Sequence, residues 1–317
     1  MERCSGRLIA YGGRRHRSVP GMPSAAPRPY PVIGAVVLVT SEGTGLSARS
    51  VGKHEEQVNV GRLSGKSTIV TGSAVGVGRE IAILYGKEGA DVIVNYSKSQ
   101  ADAEETAAQV RATGARVQVV QADVSVEADA RRLVQSAVES FGRLDVLVNN
   151  AAITRFVDFP DLDGLTEDVW DVLYDTNVKG TFWCCREAAN VMRRQQPGGG
   201  SIINISSMSG IRAVGSSIAY CCSKASVIHL TKCLARALGP DHIRVNAIAP
   251  GGISDTRWQA NRTTPAPPPS GDPAAGTPMG RISNPADVAD VALWLAYGAP
   301  LTTGDTITVD GGRGLGG

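Results

Sequence analysis

Cysteine and histidine are scarce in this 317-residue chain, which has six of the first and four of the second. They form no C-x-x-C pair and no H-E-x-x-H spacing, so a disulfide scaffold and the common zinc frameworks are excluded and no metal ligand set is expected. Two cysteine pairs, Cys184-Cys185 and Cys221-Cys222, are direct neighbours. Adjacent helix residues point about 100° apart, so each doublet addresses two surfaces and reads as packing rather than as nucleophiles. Cysteines used this way suit a reducing compartment, and the cytoplasm is the expected location. No run of 18 apolar residues occurs, which argues against a membrane-spanning helix. Net charge is only +2. Residues 1–62 hold nine of the 32 basic residues and four of the 30 acidic ones, leaving 23 basic against 26 acidic in the rest. A mildly acidic body offers no footprint for nucleic acid.

Hydrophobic residues make up 42% and charged residues 20%, the balance of a globular protein. Proline marks two irregular stretches, with five of the 17 in 20–31 and six in 265–278. The first belongs to an Arg-rich extension over residues 1–61, expected to be a disordered tail. Its composition also resembles that of an organelle transit peptide. Arg14-Arg15 could open a twin-arginine signal, but the apolar stretch that should follow lies too far downstream.

From Leu63 the pattern becomes regular. Short apolar runs at 67–71, 92–95, 117–121, 146–149, 201–205, 243–248 and 305–309 read as seven strands. Between them, helical spacing appears at 78–88, 101–113, 128–141, within 166–194, at 219–238 and at 285–297. Strands that are apolar throughout and alternate with helices predict an α/β fold. Its sheet is a Rossmann-type, doubly wound, seven-stranded parallel one covered on both faces. Residues 62–317 are expected to form one such domain.

The first strand runs into Thr71-Gly72-Ser73-Ala74-Val75-Gly76-Val77-Gly78 and then a helix. Glycines at a strand-to-helix turn let backbone approach a pyrophosphate, which the helix N-terminus then receives. The spacing is G-x-x-x-G-x-G and by itself would also suit an ordinary turn. After the second strand comes Asn95-Tyr96-Ser97-Lys98, where an Asp or Glu would hold an adenosine ribose hydroxyl. Without that carboxylate there is room for a 2′-phosphate, which favours NADP(H) over NAD(H); the same residues could simply begin a solvated loop. Asp123-Val124 follows the third strand and either contacts adenine or caps a loop.

Taken together, these motifs resemble the short-chain dehydrogenase/reductase family over about Leu63–Gly312. Thr71-Gly72…Gly76-Val77-Gly78, Asn149-Asn150-Ala151-Ala152, Asn177, Ser207, Tyr220-x-x-x-Lys224 and Pro250-Gly251 match it in order and spacing. Tyr-x-x-x-Lys alone would read as an exposed helix pair, since residues four apart share a face. The resemblance implies instead that Tyr220 is the proton donor and that Lys224 tunes it and holds the nicotinamide ribose. A free Tyr has a pKa near 10, and a neighbouring ammonium and an oxidised nicotinamide are both expected to lower it. Ser207, thirteen residues before Tyr220, is the implied carbonyl-orienting group, with Ser206 and Ser209 as nearby decoys. Asn177, in Asp175-Thr176-Asn177-Val178-Lys179-Gly180, is the implied support of a proton relay.

Cofactor contacts implied by the same resemblance are Gly72, Ser73, Gly76, Val77, Gly78, Asn95, Tyr96, Ser97, Asp123, Val124, Asn150, Ala151, Tyr220, Lys224, Pro250, Gly251 and Ile253. Thr256 joins them on the assumption of a one-residue insertion. Ala152 departs from the family's usual Gly. Residues 258–277, which begin at Trp258, fill the place of the family's substrate lid. Their prolines favour extended backbone over a helix, and a surface excursion is the alternative. The implied activity is NAD(P)-dependent reduction of a ketone, with a 3-oxoacyl thioester as default substrate and a homotetramer or homodimer as the assembly. An NAD-dependent alcohol or sugar dehydrogenase and a non-catalytic dinucleotide sensor are the rival readings.

Overall fold

The computed structural model describes residues 61–254, 274 and 276–315. The apolar runs form strands β1 (Ser67–Val70), β2 (Asp91–Tyr96), β3 (Val117–Gln121), β4 (Val146–Asn149), β5 (Gly200–Ile205), β6 (Ile243–Pro250) and β7 (Thr306–Val309). They pair in one sheet in the order β3-β2-β1-β4-β5-β6-β7, and every pairing is parallel. Helices α1 (Gly76–Lys87), α2 (Gln100–Arg111), α3 (Glu127–Phe141), α4 (Glu167–Tyr174), α5 (Thr181–Arg194), α6 (Ile218–Leu238) and α7 (Pro285–Tyr297) link them.

Alternation along the strands splits the core in two. Val70, Val92, Val94, Val148 and Ile248 face one layer with Ile81 and Tyr85 of α1 and Leu293 of α7. Ile69, Ile93, Leu147, Ile202 and Val245 face the other, with Leu133 of α3, Met192 of α5 and Leu238 of α6. Covering both faces explains why the strands read as continuous apolar runs.

The chain reverses its direction of winding between β1 and β4, the place where sheets of this kind form a ligand crevice beyond the carboxyl ends of their strands. The glycine turn and Asn149–Ala152 lie at or just beyond those strand ends, Ser207 just beyond β5 and Pro250–Gly251 at the end of β6, while Asn177, Tyr220 and Lys224 are carried by helical segments.

One element differs from the sequence expectation. The helix expected within 166–194 is interrupted by a π-helical turn, Asp175–Gly180, between α4 and α5. No local composition signals such a turn, yet π-bulges concentrate at functional sites, and this one carries Asn177. Residues 1–60, Thr256, Trp258 and nearly all of the proline-rich 258–277 segment lie outside the described residues. Among the described residues, no helix is long and apolar enough to cross a membrane, and no cluster of His, Cys, Asp and Glu is placed to hold a metal.

Candidate active site

The glycine turn between β1 and α1 is built for backbone approach. Gly72 and Gly76 have φ of +60° and +59°, a region that costs a side-chain-bearing residue about 1 kcal/mol or more. A Cβ on Gly78 would lie 2.5 Å from Asn150 Nδ2 and 2.6 Å from the Gly72 carbonyl oxygen, so only Gly fits. Helix α1 begins after Val75 with no side-chain cap and no acidic residue in its first turn. Its first N–H groups and the positive end of its dipole therefore remain available to an anion. This donor set fits the pyrophosphate of a dinucleotide.

Asn95 holds the turn in place. It is buried, and its Oδ1 accepts the Gly72 N–H at 3.0 Å. Its Nδ2 donates to the carbonyls of Val120 and Ala122 at 3.2 and 3.1 Å. Ser73 is equally committed: its hydroxyl donates to the Val70 carbonyl at 2.8 Å and accepts from the Asn95 N–H at 2.9 Å. Both side chains thus face into the protein. Tyr96 is also buried, whereas Ser97 and Lys98 are exposed. Asp123 is exposed and accepts from the Ser125 N–H and hydroxyl; Val124 beneath it is buried.

The loop after β4 is tied to the same turn. Thr71 Oγ1 accepts the N–H groups of Asn150 and Ala151 at 3.0 and 2.9 Å. Asn150 Nδ2 in turn donates to the Thr71 and Gly72 carbonyls. Beneath it a polar thread crosses the core. Asn149 Nδ2 donates to Asn204 Oδ1 at 2.9 Å, and Asn204 Nδ2 donates to Thr231 Oγ1 at 2.9 Å. Asn204 and Thr231 were not singled out in the sequence. A polar residue set within a largely apolar strand is the only available hint of the first.

Ser207 lies just past β5, and Tyr220 and Lys224 share one face of α6, started by the Ser217 cap that accepts the Tyr220 N–H. The structure brings all three together. The Ser207 hydroxyl is close enough to the Tyr220 phenol to favour its ionised form. Lys224 Nζ donates to the Ile205 carbonyl at 2.9 Å and lies 5.8 Å from the Tyr220 ring centroid. Ser206 turns inward instead, donating to the Lys224 carbonyl at 2.8 Å, which leaves Ser207 as the serine directed at the tyrosine. The short 3-10 turn after it, Met208–Gly210, sits directly on α6. A Cβ on Gly210 would lie 2.6 Å from the carbonyl carbon of Lys224.

Burial pushes the Tyr220 phenol above its ordinary value, with the Ser207 hydroxyl opposing the shift. The ammonium effect expected from the sequence does not prevail in the chain by itself. Lys224 is anchored to Ile205 over the ring, and desolvation of the hydroxyl dominates. Burial also lowers Lys224 from 10.5 to about 8. A tyrosine held protonated beside a serine donor can deliver a proton to a developing alkoxide.

Asn177 is buried below this group. Its Oδ1 accepts the Ile153 N–H at 2.9 Å, and its Nδ2 donates to the Ile153 carbonyl and to Ser223 Oγ. Ser223 then donates to the Tyr220 carbonyl at 2.8 Å, so the π-helical turn is coupled to α6 through one hydroxyl. On the other side of the crevice, the Gly251 N–H donates to the Val309 carbonyl at 2.9 Å, directly after Pro250. Ile253 bridges to Ser283. Cys184 and Cys185 are fully buried, and burial pushes the Cys184 thiol up to about 12; Cys221 and Cys222 are partly exposed.

A parallel sheet wound in this order, with an uncapped helix end after a glycine turn and a Ser-Tyr-Lys group beside the crevice, defines a dinucleotide-binding oxidoreductase of the Rossmann type. Comparison with known proteins narrows the class. The family profile described as Enoyl-(Acyl carrier protein) reductase matches residues 72–313. The protein named granaticin polyketide synthase ketoacyl reductase 2, from Streptomyces violaceoruber, is 43% identical over 247 residues, 78% of this chain and 95% of its own. The 3-oxoacyl-(acyl-carrier-protein) reductase of Staphylococcus aureus is 38% identical over 258 residues, 78% of this chain and 97% of its own. The crystal structure of a short-chain type dehydrogenase/reductase from Mycobacterium marinum superposes with a TM-score of 0.70 at 31% identity, covering 79% of this chain and 96% of that one. The chain belongs to the short-chain dehydrogenase/reductase family and is an NAD(P)-dependent oxidoreductase.

Proposed function

We infer that the chain reduces the ketone of a 3-oxoacyl thioester to the secondary alcohol, with NADPH as the preferred cofactor. The observation that carries this reading is the grouping of Ser207, Tyr220 and Lys224, with Lys224 Nζ 5.8 Å from the Tyr220 ring centroid and bonded to the Ile205 carbonyl two residues before Ser207. The cofactor, when bound, supplies the hydride. Ser207 Oγ orients the carbonyl oxygen, and Tyr220 Oη gives its proton to that oxygen as it becomes an alkoxide. Lys224 holds the nicotinamide ribose and, when protonated, favours the tyrosinate left behind. Asn177 keeps α6 in register with the π-helical turn and supports the relay that restores the proton.

The backbone of Gly72–Gly78 and the start of α1 would take the pyrophosphate, with Asn95, Ser73 and Asn150 holding that backbone in shape. Asp123, Val124 and Ala151 would flank the adenosine, and Pro250, Gly251, Ile253 and Thr256 the nicotinamide. Preference for NADPH rests on the lack of a carboxylate across Asn95–Lys98 and on the exposed Ser97 and Lys98 there. The ketoacyl names of the two curated relatives support the substrate class. We read the chain as a cytoplasmic homotetramer, in keeping with the free cysteines among its described residues and the family's habit.

The test is turnover of NADPH and NADH with a 3-oxoacyl thioester, a 2-enoyl thioester, a sugar and a simple secondary alcohol. The expected result is fastest turnover of the 3-oxoacyl thioester with NADPH. Preference for the enoyl thioester would replace ketone by carbon–carbon double-bond reduction, as the profile's description would have it. Preference for NADH with the sugar or alcohol would replace both substrate and cofactor assignments.

A further inference from the structure

The turn that follows β7 has no role in the chemistry above, yet it touches both halves of the site. Asp310 is its centre. Its Oδ1 accepts the Gly312 N–H at 2.9 Å, and its Oδ2 accepts the Gly314 N–H at 2.6 Å, so one carboxylate folds five residues into a knot. Charge-assisted bonds of this kind are about twice as strong as neutral ones.

Contacts on three sides fix the knot against its surroundings. On one side it meets the end of β6, where a Cβ on Gly251 would lie 2.9 Å from Asp310 Cβ. On the opposite side it meets the turn after Ser207. A Cβ on Gly314 would lie 2.7 Å from Met208 Cε, and Arg212 Nη1 donates to the Arg313 carbonyl at 3.2 Å. A third side receives the segment that returns from the proline-rich stretch, through the Met279 N–H donating to the Gly311 carbonyl at 3.1 Å. The knot is therefore wedged between the Pro250–Gly251 end and the Ser207 turn.

We propose that Asp310 is a positioning residue that sets the Ser207 turn at its working distance from the Pro250–Gly251 strand end. The inference rests on Ser207 and Tyr220 acting as read above. Asp310 itself touches no reacting atom. Without its carboxylate the Gly312 and Gly314 N–H groups lose their acceptor, the knot opens, and Met208 loses its backing. Ser207 is held from below by Ser206 and Gly210, so it shifts rather than unfolds. A displacement near 1 Å at a reacting group costs about 100-fold in rate, and a partial shift about tenfold.

The experiment compares wild type, Asp310→Ala, Asp310→Asn and a chain ending at Gly312, which keeps β7 and Asp310 but removes the Met208 and Arg212 contacts. Ketone kinetics, NADPH affinity by fluorescence titration and amide hydrogen exchange over 207–212 are measured in the full-length or shortened protein. Asp310→Ala and the shortened chain are expected to lose about tenfold in kcat/KM while NADPH affinity stays within about twofold. Asp310→Asn, which keeps one acceptor oxygen, should fall between. Exchange over 207–212 should quicken in the same order. Wild-type kinetics in Asp310→Ala would overturn the inference, as would equal loss of NADPH affinity and kcat/KM in all three variants, the mark of a merely structural residue. The exchange measurement needs no substrate, so unchanged protection over 207–212 overturns the inference even where a wild type inactive on ketones has refuted the reading of Ser207 and Tyr220.

Discussion

Replacing Asn95 by alanine tests how the glycine turn is held. The side chain is 1% exposed and makes one bond to the Gly72 N–H and three to the carbonyls of Tyr96, Val120 and Ala122. Each such bond is worth about 1 kcal/mol net, more where a donor is left orphaned. Because Gly72 is half-buried and regains some water, the total comes to about 3 kcal/mol. Urea unfolding followed by circular dichroism reads this directly. Release of Gly72 also loosens the donors of the turn, and a rise of about tenfold in dinucleotide Kd, or 1.4 kcal/mol, is expected. Asn95→Asp sharpens the test. One carboxylate oxygen would still accept from Gly72, but the other would face these carbonyls, so the buried acid is stable only when protonated and its pKa rises. A folded-state pKa above the unfolded value means stability present at low pH and lost as pH rises through it. The variant should therefore weaken toward neutrality without gaining affinity for NADH. A stability change under about 0.5 kcal/mol in Asn95→Ala with unaltered Kd, or a switch to NADH in Asn95→Asp, would refute the inward role.

Three further outcomes follow from the same geometry. Gly78→Ala sets a methyl against Asn150 Nδ2 and the Gly72 carbonyl; it should cost about 1–3 kcal/mol and abolish measurable dinucleotide binding in a titration. Lys224, lowered to about 8 from 10.5, binds a proton in the unfolded chain that it has lost in the folded one between those values. Its contribution to stability should thus rise with pH from about 8 to 10, above which the tyrosines oppose it. The difference in Tm between wild type and Lys224→Met should change across that window, and a difference independent of pH would be contrary. Native protein treated with a thiol reagent and mapped by mass spectrometry should label exposed Cys233 first, while Cys184 and Cys185, buried and with raised pKa, stay unlabelled until unfolding.

Much of this was legible in the sequence because burial on both faces leaves a plain signal. Val117–Gln121, Val146–Asn149 and Pro285–Tyr297 have the very bounds that periodicity, turn residues and a proline at the helix start suggest. Tyr220 and Lys224 meet because four residues close one helical turn, a local rule. What was not legible depends on the third dimension. The π-helical turn at Asp175–Gly180 adds one residue to a turn without a compositional mark. Asn95 stands where a ribose-binding acid often does, but the pleat of β2 points it inward, and only the register with β3 reveals its partners. Gly210 reads as a loop glycine until α6 is laid against it. The direction of the Tyr220 shift turned on burial, which no spacing reports.

The most direct test of the central assignment is single-turnover reduction of a 3-oxoacyl thioester by wild type and Tyr220→Phe, each saturated with NADPH and each with its cofactor Kd measured alongside. Loss of the hydroxyl proton donor should cost about 100-fold or more in the chemical step, while cofactor affinity stays near wild type. A Tyr220→Phe enzyme that reduces the ketone at the wild-type rate would remove Tyr220 from the reaction and, with it, the role assigned to the Ser207–Tyr220–Lys224 group.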